Sequence, residues 1–333
     1  MTTATMHAIV HDTYGSEPAD VLRLAEADRP APARHEVVVR VHAASVDRGT
    51  WHIMAGLPYP IRVAGFGFRT PKHLNPGRSF AGTVDAVGAD VSGFVPGDAV
   101  YGLAAGAFAE YVVARPDRLA AKPASLSFGE AAAVPLSGTT ALQAVRDRGR
   151  VGPGQRVLVV GASGGVGTFA VQIAKAFGAE VTGVCGPSKV DLVRGLGADV
   201  VVDYTREGLP RGFDVILDIG GNTPLSALRA ALTPAGRLVI VGGETAGRWL
   251  GGTDRQVRAT LLSPFVRHTL GTFVASENAA DLDVLRDLVE AGLVRPVVDR
   301  TYALGDVAAA IGHVTGGHAR GKVVVTVRAG GAA

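Results

Sequence analysis

Residues 156–160, RVLVV, are a short β-branched run of the kind found in a strand buried on both faces. Val166, Ala170, Ile173, Ala174 and Phe177 then recur at helical spacing, and Gly178 stands where a helix would stop. The turn between them reads ASGGVG from Ala162 to Gly167, the pattern G-x-G-x-x-G with alanine in the first place. In such a turn Gly164 lets a pyrophosphate approach the backbone and Gly167 lets the helix pack close to the strand. The free N–H groups around Ser163, Gly165 and Val166, at the positive end of the helix, then face the phosphates. The motif is weak alone, but here it has the strand before it and the helix after it that a dinucleotide site requires.

The alternation continues downstream. The pattern predicts strands at 180–184, 199–202, 214–218 and 237–241 and helices at 187–195 and 224–232, hence an α/β fold with a parallel, doubly wound sheet. Residues 244–266 read as a loop and a helix, 268–276 as a strand, 279–290 as a helix, and the tail as strand, helix, strand. Residues 6–128 differ in character. His35–Val46, Gly82–Gly102 and Gly106–Ala114 carry short strands punctuated by Gly and Pro-Gly turns, which predicts a partly closed barrel of antiparallel strands. Ser127 followed by Glu130 forms a capping box opening a helical stretch that is interrupted near Pro135.

The chain has 333 residues, which favours about two domains. Its 33 basic and 30 acidic residues leave a net charge of only +3, with no long run of like charge, so neither nucleic acid nor a membrane surface is indicated as a partner. The single cysteine, Cys185, permits no intrachain disulfide and fits a reducing cytoplasm. The N-terminus shows no basic-then-apolar signal segment, and no apolar run reaches the length of a membrane span.

With these stretches in view, the chain resembles the medium-chain dehydrogenase/reductase superfamily, most closely its zinc-free quinone oxidoreductase branch. The resemblance rests on PGRSFAGTVDAVG, PGDAVYG, GAFAEYVV, AAAVPLSGTTALQAV, the segment around the glycine turn, LGADVVVDY and GHARGKVVV, in the family's order. It implies a Rossmann sheet inserted into a GroES-like β-barrel domain, with the barrel domain formed by 1–127 and 276–333 and the nucleotide domain by 128–275. It also implies a homodimer in which two Rossmann sheets pair along edge strands, here Thr269–Ala275, which carries no proline and no charge; the alternative is a monomer in which residues 244–266 fold over that edge.

Zinc-dependent relatives carry a catalytic cysteine and a His-Glu pair. The corresponding stretches here read ASVDRGTWH and GRSFAG, so Asp47, Arg78 and Ser79 stand in those neighbourhoods and no metal is expected. An NAD site wants an acidic residue about 20 residues after the glycine turn. Cys185 and Gly186 occupy that place, followed by Ser188 and Lys189, and the first acid is Asp191, inside the next helix. By resemblance Lys189 and Tyr204 read the 2′-phosphate, which favours NADPH; the plainer account of Lys189 is an exposed helix lysine.

The resemblance further implies that Thr140 lies close to the nicotinamide, that Asp47 stands where an asparagine nears its ribose, and that Gly271–Phe273 holds the carboxamide. Gly242 and Gly243 end a strand at the carboxyl edge of the sheet, where ligands bind. Tyr59 is a candidate hydrogen-bond donor to a substrate carbonyl, with a packed loop tyrosine as the alternative. Without a Lewis acid, hydride delivery is easiest to a quinone or an α,β-unsaturated carbonyl, whose conjugation stabilises the negative charge. A ketone reductase or alcohol dehydrogenase, and an NADPH-binding protein without turnover, are the competing readings.

Overall fold

The computed structural model describes residues 4–243 and 247–327. Residues 244–246 of the predicted 244–266 loop and the last residues of the barrel domain, 328–333, lie outside the described residues. The chain divides into one unit of Met1–Leu136, Glu277–Glu290 and Pro296–Ala333, and a second of Ser137–Ser276 and Ala291–Arg295.

In the second unit six parallel strands lie in the spatial order Val200–Asp203, Glu180–Cys185, Arg156–Val160, Phe213–Asp218, Leu232–Ile240, Thr269–Thr272. Numbered along the chain this is 3-2-1-4-5-6, the doubly wound arrangement, with its switch point between the first and fourth strands. The apolar runs are fully buried, as strands covered on both faces must be: Val157, Leu158 and Val159 of the first, Val215, Ile216 and Leu217 of the fourth. The helix after the glycine turn spans Gly165–Ala176 and buries Phe169, Ala170, Ile173 and Ala174. Gly178 stops it with φ +80°, a conformation that costs glycine nothing.

The sixth strand is shorter than the sequence suggests. After Thr272 the chain leaves the ladder, and the Gln143 side chain takes over: its amide donates to Ser276 O at 2.8 Å and accepts from Ser276 N at 2.9 Å. The helix expected within 244–266 is present as Thr253–Leu262.

In the first unit a seven-stranded sheet runs Val298–Ala303, Lys322–Thr326, Val37–Val46, Ser79–Val87, Ala99–Leu103, Leu119–Ala121, with Tyr111–Ala114 also paired to Val37–Val46. It is not wholly antiparallel. Val298–Ala303 and Lys322–Thr326 are parallel, because the helix Val307–Thr315 carries the chain back between them. The expected strand from Gly106 starts only at Tyr111, because the Phe108 carbonyl is taken by Ile9 N at 2.8 Å and the Ala107 amide bonds Gly77 O at 3.2 Å.

The capping box is formed, with Glu130 N donating to Ser127 Oγ at 3.3 Å and Ser127 N to Glu130 Oε2 at 2.9 Å. The helix it opens, Phe128–Ala132, packs on the strands Val37–Val46 and Ser79–Val87 and so belongs to the first unit, which moves the boundary from residue 127 to Leu136. Residues 291–295 stay with the second unit because Gln172 brackets the Arg295 backbone, donating to its carbonyl and accepting from its amide, both at 3.0 Å. No helix among the described residues is long and apolar enough to cross a membrane.

Candidate cofactor site

The first strand ends at Val160, and Gly161 turns the chain with φ +83°. The amides of Gly161 and Ala162 both donate to Val184 O, at 3.1 and 3.0 Å, which fixes the turn to the second strand. The helix starts behind Gly164 with no side-chain cap, and its first bond runs from Thr168 N to Gly164 O at 3.0 Å. The amides of Gly165, Val166 and Gly167 therefore precede the helical ladder, the donor set that binds phosphate.

The two later glycines differ as the motif requires. A Cβ on Gly164 would meet only Gly161 O, at 3.5 Å, so a ligand can approach there. A Cβ on Gly167 would lie 2.0 Å from Gly161 O, so that position is closed by the backbone at the start of the turn. Ser163, within the turn, is buried. These residues fit a pyrophosphate.

At the end of the second strand Gly186 lies beside Tyr204, and its carbonyl accepts from Lys189 N at 3.0 Å. A Cβ on Gly186 would sit 3.5 Å from the Tyr204 hydroxyl. Ser188 and Lys189 lie in the turn Pro187–Lys189, Ser188 exposed and Lys189 half-buried. Burial pushes the Cys185 thiol up; Asp203 adds to this and Lys189 opposes it, so both charges act on the end of this strand. Asp203 is a residue that sequence spacing missed. Parallel pairing sets it opposite Cys185, and its Oδ1 accepts from Thr205 N at 2.9 Å and Thr205 Oγ1 at 2.8 Å, fixing the turn that carries the exposed Tyr204. Asp191 is exposed and pairs with Arg194 on its own helix at 2.8 Å.

Along the carboxyl edge, a Cβ on Gly242 would lie 2.1 Å from Ile219 O, whereas Gly243 has its nearest neighbour, Gly251 O, at 3.4 Å. A Cβ on Gly271 would meet nothing within 4 Å, and the Phe273 ring lies 5.6 Å from the Arg148 guanidinium. Thr140, in the second unit, is half-buried on the helix Pro135–Gln143.

Asp47 and Tyr59 belong to the first unit. The Asp47 carboxylate is taken up by a buried ion pair with Lys322, whose Nζ also donates to Val46 O at 3.3 Å. Its other oxygen accepts from Ser79 Oγ at 3.5 Å, and Ser79 Oγ in turn accepts from Leu136 N at 3.2 Å. The aspartate thus has a structural partner that an asparagine would not need. Tyr59 has its ring 5.0 Å from the Arg62 guanidinium, which also faces Tyr14 at 4.3 Å.

Where zinc-dependent proteins have their His-Glu pair, Arg78 is paired with Glu277, which also holds Arg118 at 2.8 Å, and Ser79 is fully buried. Among the described residues no group of three or more His, Cys, Asp and Glu is placed to hold a metal ion. Burial lowers the basicity of His11 and His52, and each has its Nδ1 on a backbone carbonyl, Leu74 O at 2.9 Å and Leu57 O at 2.8 Å.

Two family models match the chain: the alcohol dehydrogenase GroES-like domain over residues 33–124 and the zinc-binding dehydrogenase over residues 196–325. The mouse protein named NAD(P)H oxidoreductase RTN4IP1, mitochondrial, is 34% identical over 379 residues, covering 97% of this chain and 89% of its own. The 2-methylene-furan-3-one reductase of Solanum lycopersicum is 32% identical over 340 residues, covering 96% of this chain and 79% of its own. Among solved structures, the quinone oxidoreductase from Coxiella burnetii superposes with a TM-score of 0.82 at 28% identity, covering 98% of this chain and 100% of that one.

Proposed function

Because the chain belongs to the medium-chain dehydrogenase/reductase superfamily, in its quinone oxidoreductase-like branch, and is an oxidoreductase of a family that binds a nicotinamide cofactor, we propose that it reduces a quinone or an α,β-unsaturated carbonyl with NADPH, without zinc. The observation that carries this reading is the pair Arg78 and Ser79 at the metal-ligand position, both already engaged, one by Glu277 and the other by Leu136 N and Asp47. A conjugated acceptor spreads the incoming charge over its own π system and so does not depend on a Lewis acid.

The nicotinamide supplies the hydride when bound. The chain's share is to hold it: the amides at Gly165–Gly167 on the pyrophosphate, Lys189 and Tyr204 on the adenosine 2′-phosphate, and the glycines at 243 and 271 where backbone can lie close to the ring, Gly242 being closed by its approach to Ile219 O. The lone, buried Cys185 fits work in a reducing compartment such as the cytoplasm.

The test is NADPH oxidation against a panel of quinones, enones and simple ketones, with and without a chelator. Turnover of quinones or enones, unchanged by the chelator, is the expected result. Ketone turnover that the chelator abolishes would favour a zinc-dependent alcohol dehydrogenase, and tight NADPH binding with no turnover would favour a sensor.

Cofactor choice has its own test. A charged hydrogen bond to the 2′-phosphate contributes about 1.5–3 kcal/mol. Lys189→Ala is therefore expected to weaken NADPH about ten- to a hundredfold and to leave NADH nearly unchanged. Equal losses for both nucleotides would remove the assignment.

We also propose a homodimer. The strand Thr269–Thr272 is the last of its sheet and has no lysine or proline to guard it. Beside it Val257, Leu261 and Phe265 are exposed at four-residue spacing, and Val274 is 94% exposed. A second copy pairing along this edge would cover them, in keeping with twofold symmetry. Light scattering should report twice the chain mass of 34.1 kDa, and Thr272→Lys with Val274→Lys should return it to one.

A further inference from the structure

The turn beyond the fourth strand sits at the switch point of the sheet. Ile219 N and Gly220 N both donate to Val160 O at 3.0 Å, and Gly161 backs onto Gly220, where a Cβ on Gly161 would lie 2.8 Å from Gly220 N. The turn therefore forms a wall against the first residue of the phosphate-binding loop. Its far end is less well held: Gly221, with φ +72°, donates from its amide to Asp218 Oδ1 at 3.4 Å.

What closes it is Arg255, reaching in from the helix Thr253–Leu262. One terminal nitrogen donates to the Gly221 carbonyl and the other to Asp218 Oδ2. Asp218 ends the strand with no solvent exposure, and the Arg255 side chain is 12% exposed. Burial pushes the Asp218 carboxyl up, and the Arg255 charge opposes that shift. The same helix begins beside Gly243, whose Cβ would lie 3.6 Å from Gln256 Nε2.

We propose that Arg255 is a positioning residue of the cofactor crevice: its fork clamps Asp218 and the Gly221 carbonyl, and so fixes the Ile219–Gly221 turn against Gly161. The inference rests on the reading of the second unit as the nicotinamide nucleotide site. A lysine could keep the charge but not hold two acceptors at the fork's spacing. A purely structural role would cost stability and leave nucleotide affinity alone.

The test uses full-length Arg255→Lys and Arg255→Met, with Asp218→Asn/Arg255→Met as a variant that leaves no lone buried charge if the single change does not fold. NADPH and NADH binding is followed by nicotinamide fluorescence, and amide hydrogen exchange at 219–221 is measured in the nucleotide-free protein. We expect Arg255→Met, or the double variant, to weaken both nucleotides about tenfold or more and to speed exchange at 219–221, with Arg255→Lys between it and the wild type. The equal loss separates this residue from Lys189. A folded variant with wild-type affinities and exchange would overturn the proposal, as would lowered stability with both unchanged. Wild-type protein that binds neither nucleotide would count against the cofactor reading alone, and the exchange comparison would still decide whether Arg255 holds the turn.

Discussion

Replacing Lys322 with methionine should destabilise the protein by about 3–5 kcal/mol, the range for breaking a buried ion pair by removing one partner. Lys322 is 1% exposed, and its ammonium meets the Asp47 carboxylate at the point where the strands Lys322–Thr326 and Val37–Val46 lie side by side. A methionine fills much the same volume, so packing loss is a minor part. The cost arises because removing the ammonium leaves the Asp47 side chain, only 8% exposed, without its counterion. Lys322→Met combined with Asp47→Asn leaves no such charge and should recover most of the loss. Urea denaturation of the three variants measures it. If the single and double variants were equally unstable, packing rather than charge would set the effect.

Gly167→Ala should be a strongly destabilising substitution in the nucleotide unit. The added Cβ would sit 2.0 Å from Gly161 O and 2.8 Å from the Ala162 carbonyl carbon, both backbone atoms that no rotamer change can move aside. The helix must lift from the strand, at a cost of about 3 kcal/mol, the upper end of overpacking penalties. The turn's amides move with it, so both nicotinamide nucleotides should lose affinity. Gly164→Ala makes the complementary case: its Cβ would have only Gly161 O near it, at 3.5 Å, so the fold should keep its stability while the methyl stands where the pyrophosphate approaches. Thermal unfolding and nucleotide titration of the pair separate the two glycines. Equal stability of the two variants would show that the close approach at Gly167 is relieved elsewhere.

The elements read from the sequence were those whose cause is local. The β-branched runs and the 3.6-residue spacing after the glycine turn are properties of a dozen neighbouring residues, and they led to strands and a helix within a residue or two of those observed. The Ser127–Glu130 box was legible for the same reason. What the sequence concealed depends on distant partners. Asp47 read as a departure from an asparagine because its counterion lies 275 residues away. Asp203 escaped a rule that counts along the chain, since parallel pairing, not spacing, places it opposite Cys185. The early end of the sixth strand needed Gln143, 133 residues before Ser276. Nothing near Arg255 in the chain marks it out, because its partner Asp218 lies 37 residues earlier.

The strand Lys322–Thr326 lies inside its sheet, hydrogen-bonded on one side to Val298–Ala303 and on the other to Val37–Val46. During synthesis, Val37–Val46 leaves the ribosome long before that neighbour exists. At a usual pace of about 5–20 residues per second, the 275 residues between Asp47 and Lys322 take roughly a quarter of a minute to a minute. The nucleotide unit is made entirely within that interval and has all its own strands by its end. The barrel unit meanwhile holds open one side of an apolar strand, Ala43–Val46, that is fully covered in the finished protein. The newborn chain is thus vulnerable to wrong partners at a segment it makes early and completes late.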